Sequence, residues 1–295
     1  MKVAVLTLAA VLSAGATTHC IVVSGLGGEP DYEQRFATWA QDLDKTLRET
    51  PETHVETLMG AKATRASLRA ALERTTREAK SEDSLVLVMF GHGTFDGTEY
   101  KVNLPGPDMT AIELATLLDR VKAGKQLVVN ATSASGGSQH ALVRQNRTVI
   151  TATKSGTEKN ATVFPRYWIE ALRDAAADTD KNEVISALEA FKFAELKTKQ
   201  FYETNKRLAT EHAMLDGGDS NGPMNAGRFA LLRIGSIQKA AADPAKRALL
   251  TKREQLETDI DKLKFQKAAM PTDQYKRELQ TLLLELARTQ AEIDK

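Results

Sequence analysis

The chain predicts an α/β protein in three layers, a mainly parallel sheet between helices, followed by a C-terminal α-helical hairpin. Two observations carry this prediction. Up to Gly235, short apolar runs alternate with longer amphipathic stretches; beyond Gly235 no glycine occurs and two heptad-like apolar seams begin.

The runs at 20–23, 55–58, 85–90, 127–129, 149–153 and 229–234 have the length and apolar content of buried strands. Between them, 32–47, 63–79, 111–121 and 164–175 place apolar residues at helical spacing. Strand, helix, strand repeated in this way requires crossovers, which pair the strands in parallel and cover both faces of the sheet with helices. Sheets of this kind carry their sites in loops beyond the carboxyl ends of the strands. In the tail, Leu249, Leu256, Ile260 and Leu263, then Tyr275, Leu279, Leu282, Leu286 and Ile293, recur at spacings of three and four. Met270-Pro271-Thr272 breaks the pattern between them, so 236–295 is expected to fold back as a hairpin.

The N-terminus reads Met1-Lys2, the apolar run 3–12, then Ser13-Ala14-Gly15-Ala16. A charge, a short hydrophobic stretch and small residues form the pattern of a secretory signal peptide cleaved after Ala16, and the run is too short to span a bilayer. The protein is therefore expected in the periplasm or outside the cell, with a main domain over 17–235 and no membrane span in the mature form. With Lys plus Arg at 40 and Asp plus Glu at 39, the net charge of +1 supplies no drive toward nucleic acid or anionic lipid. Cys20 is the single cysteine, which excludes an internal disulfide and a multi-thiolate zinc site. His19 before it is not the small residue that lipidation needs, so Cys20 reads as a strand residue.

Two loops at strand ends carry the candidate chemistry. The run ending at Phe90 leads into Gly91-His92-Gly93, where an imidazole between glycines can meet a ligand as acid or base. The next run leads into Asn130-Ala131-Thr132-Ser133-Ala134-Ser135-Gly136, small and hydroxyl-rich. A Gly-His-Gly after one strand and such a loop after the next resembles the caspase and legumain peptidases. His92-Gly93 stands at the family's histidine motif, and Asn130-Ala131-Thr132 falls where the family carries Gln or Glu, Ala and Cys. The resemblance covers 20–235, by order of elements more than by identity, and implies a substrate groove across the carboxyl edge of the sheet.

Thr132 stands where the nucleophilic cysteine belongs. A thiol has a pKa of about 8.5 and is partly ionised at neutrality, whereas an alcohol attacks only with strong base assistance from an oriented histidine. The expectation is a degenerate relative that binds a peptide or protein without cleaving it. The alternative is a hydrolase in which Thr132 or Ser133 attacks, Ser135 being a further candidate, with His92 as base. In that reading Asp83 or Asp96 orients the imidazole, while Gly93 and Asn130 lie at the substrate and oxyanion position. A third reading places function in a scaffold built on the hairpin at 241–295.

A second site is expected at 178–189. Asp178, Asp180, Asn182, Val184, Ser186 and Glu189 occupy positions one, three, five, seven, nine and twelve of a calcium-binding helix-loop-helix loop, between helix-like flanks at 164–175 and 187–200. Glu183 departs from the pattern, because position six is normally a glycine with a left-handed backbone. The same residues also satisfy a capping box, Ser186 to Glu189, with Asp178 and Asp180 merely solvated. Asp216 to Gly222 reads as a polar turn, and Phe164 with Trp168 as core anchors.

Overall fold

The structure is a computed structural model and describes residues 16–217 and 222–295. The leader expected over 1–16 therefore lies outside the described residues except for Ala16, and so does most of the turn at 216–222.

Six strands form the main sheet: β1 (Thr18–Ser24), β2 (Thr53–Leu58), β3 (Ser84–Phe90), β7 (Lys125–Asn130), β8 (Arg147–Thr151) and β10 (Met214–Asp216). Their order is β10-β8-β7-β3-β1-β2, parallel throughout except for β10, which runs antiparallel along the β8 edge. Side chains alternate across the sheet, so Val86, Val88 and Phe90 of β3 enter one core while Leu85, Leu87 and Met89 enter the other. Both faces being buried explains why these strands read as unbroken apolar runs.

On the first face lie α1 (Pro30–Arg48), α5 (Phe164–Ala171) and α6 (Ala187–Thr204), contributing Phe36, Leu43, Phe164, Trp168 and Phe191. On the second lie α2 (Arg65–Glu78) and α3 (Ala111–Leu118), contributing Leu68, Leu72, Leu114 and Leu118. Complete burial of each such leucine stabilises the fold by about 1.5–3 kcal/mol. Thr64 caps α2 and Thr110 caps α3, each accepting the amide three residues on at 3.1 Å. The order of layers is that expected from the alternating pattern.

Three local expectations change. The run at 229–234 contains β11 (Ala230–Arg233), but it pairs antiparallel with β9 (Val184–Ser186) in a separate two-stranded sheet. The main sheet is already closed on that side by β10, so this segment packs beside the first core instead. The helix expected over 164–175 ends at Ala171, where Asp174 turns the chain by accepting the Ala176 amide at 2.9 Å. The stretch at 111–121 leaves helix after Leu118. An additional three-stranded sheet, β4 (Gly93–Phe95), β5 (Tyr100–Val102) and β6 (Met109–Thr110), follows β3; strands of two or three residues carry no readable period.

The tail begins with α8 (Gly235–Ala242) and continues as α9 (Pro244–Gln266) and α10 (Thr272–Ile293). Pro244 starts α9 with Asp243 as its cap, and the chain reverses at Met270-Pro271 as the sequence predicts. Leu250, Leu256, Ile260 and Leu263 of α9 are buried. The two helices are also tied by Lys252 to Glu285 at 2.9 Å and by Lys246 Nζ donating to the Ile293 carbonyl at 2.7 Å. Among the described residues, no helix is long and apolar enough to cross a membrane.

Candidate functional site

Strand order reverses direction at β1, which has β2 on one side and β3 on the other. In parallel sheets such a switch opens a crevice beyond the carboxyl ends of the two central strands. Ser24 pairs with Phe90, so β1 and β3 end together and their loops leave side by side. Gly91 has φ of 142°, and a Cβ there would lie 3.2 Å from the Gly25 Cα. A Cβ on Gly25 would lie 2.7 Å from the Asn103 carbonyl oxygen. Asn103 joins the loops through its backbone, donating to the His92 carbonyl at 3.0 Å and accepting from Leu26 at 2.9 Å.

His92 sits half-buried at this switch, its ring edge-on to Tyr32 at 5.0 Å and Phe36 at 5.3 Å, both on α1. Burial holds the imidazole pKa below the usual histidine value, against the opposing pull of the Gly27 backbone and of Glu29 and Glu33. Glu33 accepts the Gly27 amide at 2.8 Å and steadies the loop, while the Arg35 guanidinium lies over the Tyr32 ring at 5.2 Å. Tyr32 and Phe36 belong to the stretch at 32–47 that the sequence marks only as helix, and Gly27 to none that it marks; nothing in spacing alone links them to His92.

The hydroxyls considered as nucleophiles lie in a different network. Thr132 is fully buried, its Oγ1 2.6 Å from the Tyr100 hydroxyl and its single proton within reach of two acceptors, Asn130 Oδ1 at 2.9 Å and the Ser133 carbonyl at 3.1 Å. Asn130 is equally buried and donates from Nδ2 to Ser138 Oγ at 2.9 Å. Ser133 Oγ accepts the Gly93 amide at 3.1 Å and donates to the Gly93 carbonyl at 3.3 Å. Ser135 Oγ lies 3.2 Å from Thr153 Oγ1 and accepts the Thr153 amide at 3.1 Å. Between these serines Ala134 takes φ of 54°, a left-handed conformation that costs a non-glycine residue about 1–2 kcal/mol. Burial pushes the Tyr100 hydroxyl up to about 12, so at neutral pH it is a neutral partner for Thr132.

Among the described residues, no hydrogen bond joins the His92 ring to Thr132, Ser133 or Ser135. Asp83 lies at the opposite, amino end of β3, where it accepts the Thr17 and Lys80 amides at 2.8 Å each. Asp96 accepts the Thr98 and Glu99 amides of its own turn at 2.9 Å. Neither carboxylate contacts the imidazole. The Gly93 amide, expected to face an oxyanion, is engaged with Ser133 instead.

In the loop at 178–189, ligand oxygens of Asp178, Asp180 and Glu189 lie within 4.8 Å of one another. Glu183, at the glycine position, adopts φ of 62°, the left-handed backbone such a loop requires. Asp178 accepts the Asn182 amide at 3.2 Å and the Glu183 amide at 3.0 Å. Glu189 completes the capping box with Ser186 and also accepts from Thr179. Burial raises the Asp180 pKa, with the Glu189 and Asp178 charges adding to it; for Glu189, burial is outweighed by the Ser186 and Thr179 donors, which lower it. Asn182 belongs to this loop through its Oδ1, which accepts the Val184 amide at 2.8 Å, and Val184 to Ser186 form β9. Three carboxylates so placed could hold a hard divalent cation, in competition with the amides already seated on them.

The same loop meets the tail. The Glu183 carboxylate accepts the Ser236 amide at 2.8 Å and the Ile237 amide at 3.0 Å at the start of α8. Arg253 Nη2 donates to the Asn182 carbonyl at 2.8 Å, and Val184 packs with Ile237, Leu250 and Ile293. A further rim contact not read from sequence is His212 Nδ1 against Glu158 Oε1 at 2.6 Å.

No protein-family model matches the chain, and no curated protein matches it. Among solved structures it is similar to a Geobacter sulfurreducens protein, at 13% identity and a TM-score of 0.49, over 75% of this chain and 100% of that one. It is similar to the Drosophila initiator caspase Dronc at 12% identity and a TM-score of 0.43, over 68% of this chain and 80% of that one. Caspase-1 from Spodoptera frugiperda gives 12% identity and a TM-score of 0.47, over 68% and 86%. Likeness at these levels supplies no argument about chemistry.

Proposed function

We propose that this chain is an exported, caspase-like protein that holds a peptide or protein segment at the β1/β3 switch without cleaving it. The observation supporting this reading is the separation of the two halves of the expected dyad. Thr132 directs its hydroxyl into a buried network with Tyr100 and Asn130, while His92 directs its ring toward Gly27, Tyr32 and Phe36. A hydroxyl without a base in contact is a poor nucleophile. The switch offers a half-buried imidazole, the exposed side of Leu26 and the Tyr32 ring under Arg35, a mixed surface suited to an extended peptide. Binding of fluorescent peptides from a broad library tests this, read by anisotropy. We expect saturable binding that weakens at least fivefold in His92→Ala, with no hydrolysis of the same library. Turnover, or an ester-linked acyl adduct by intact mass, would favour the hydrolase with Thr132 or Ser133.

A second reading concerns calcium at Asp178, Asp180, Asn182, Val184, Ser186 and Glu189. It is supported by the left-handed Glu183, which removes the one backbone objection raised by the sequence. The scaffold alternative rests on the hairpin; deleting the chain beyond Gly235 and comparing captured partners separates it from binding at the switch.

A further inference from the structure

Asp83, which the fold places away from His92, is a buried carboxylate at the amino end of the sheet, 5% exposed. Its Oδ1 accepts the Thr17 amide at 2.8 Å, its Oδ2 accepts the Lys80 amide at 2.8 Å, and His19 Nε2 lies 3.7 Å from Oδ2. Thr17 is further held by its carbonyl, which accepts the Ser84 amide at 2.9 Å, and the next residue donates to the Glu52 carbonyl at 2.9 Å. Ala16, one residue earlier, is exposed. The chain thus passes from solvent to a fixed position between Ala16 and Thr17, the bond that Ala14-Gly15-Ala16 marks as the end of a leader.

We propose that removal of the leader builds a structural ion pair, the new α-ammonium of Thr17 against the Asp83 carboxylate. The inference rests on reading 1–16 as a signal peptide. A leader-cleaving protease hydrolyses the Ala16–Thr17 amide with one water: the hydroxyl goes to the Ala16 carbonyl carbon, giving a carboxylate, and Thr17 nitrogen keeps the electron pair and takes up protons as an ammonium. The nitrogen already sits at hydrogen-bond distance from Asp83, so an amide-to-carboxylate hydrogen bond becomes an ion pair with no movement of the strand. The group is half-buried, which screens the pair less than an open surface position. Beside Asp83 stand His19 and the Lys80 amide, and His19 packs against His54; the Glu52 carbonyl takes the Thr18 amide while its carboxylate is occupied by Arg247. An α-amine has an ordinary pKa of about 7.7–8.0, and a carboxylate partner raises it in the fold. Its stabilisation is therefore complete below that value and disappears as pH rises through the folded pKa.

Two measurements test the two premises separately. The full chain is expressed in an export-competent bacterial host, and intact mass with N-terminal sequencing is expected to show a mature protein beginning at Thr17. A start elsewhere, or no processing, rejects the leader reading. Independently, the chain from Thr17 is made by scarless fusion cleavage, with its amine either free or acetylated. The free-amine form should melt about 2–4 °C higher at pH 7, the scale of one charge-assisted contact in a domain of this size. That difference should close above about pH 10, where an α-amine is neutral, and should be absent in Asp83→Asn. Equal melting of the free and acetylated chains at pH 7 overturns the ion pair, whatever the outcome of processing.

Discussion

The Tyr100 hydroxyl lies 2.6 Å from Thr132 Oγ1, and both side chains are buried, Thr132 completely. The residue at the expected nucleophile position is thus a member of a core network. A thiol introduced by Thr132→Cys should react slowly with iodoacetamide under native conditions and should confer no peptidase activity, because it lacks both access and a base. Intact mass over time checks this, with the buried Cys20, whose thiol is pushed up to about 12, as an internal unreactive reference. Rapid alkylation at position 132 would show the network to be open. Tyr100→Phe should cost about 1–2 kcal/mol by removing the neutral hydrogen bonds to Thr132 and Asn130.

His92 supplies a pH signature. Its pKa is lowered in the fold by burial, so between its folded value and the ordinary one the unfolded chain binds more protons. Its contribution to stability is therefore complete above about pH 6.5 and falls as the medium becomes more acidic. NMR titration of the ring should give a midpoint below that of a free histidine. His92→Gln should flatten this part of the stability profile.

Glu211 is a structural carboxylate, 3% exposed, that accepts the Val163 amide at 2.7 Å, the Phe164 amide at 3.1 Å and the Tyr202 hydroxyl at 2.9 Å. It holds the N-terminus of α5, where a negative charge is favourable. Glu211→Ala leaves those donors unsatisfied and should cost about 2–4 kcal/mol, read as a lower urea midpoint with an unchanged slope.

Glu183 joins the loop to the tail by accepting the Ser236 and Ile237 amides. Glu183→Gly should relieve the left-handed strain yet lose the cap, so the two effects can be separated. Global stability should change by less than about 1 kcal/mol, while hydrogen exchange at 236–242 should accelerate severalfold. Glu183→Ala should show the faster exchange together with lower stability.

Calcium at 178–189 should raise the melting temperature of the parent protein, and Asp178→Ala should abolish that rise. No rise in the parent at millimolar calcium would reject the site.

The main sheet was legible because strands buried on both faces leave continuous apolar runs, as Leu85 to Phe90 does. The hairpin was legible because Pro271 interrupts a sustained seam. The short strands β4, β5 and β6 were not, since Gly93-Thr94-Phe95 carries no period and gains its pairing from Tyr100 to Val102. The run at 229–234 showed strand character but not its partner, because apolar content reports burial and says nothing of which edge is free.

At the site the division is sharper. Local chemistry, written in residue order, placed an imidazole between glycines at one strand end, hydroxyls at the next, and carboxylates at loop spacing. Which way each side chain turns depends on neighbours distant in the chain: Tyr32 and Phe36 draw His92 toward α1, and Tyr100 draws Thr132 into the core. Hydrogen bonds and ring contacts act over a few ångströms in space, so only the folded arrangement could separate a base from a hydroxyl that stand on adjacent strands.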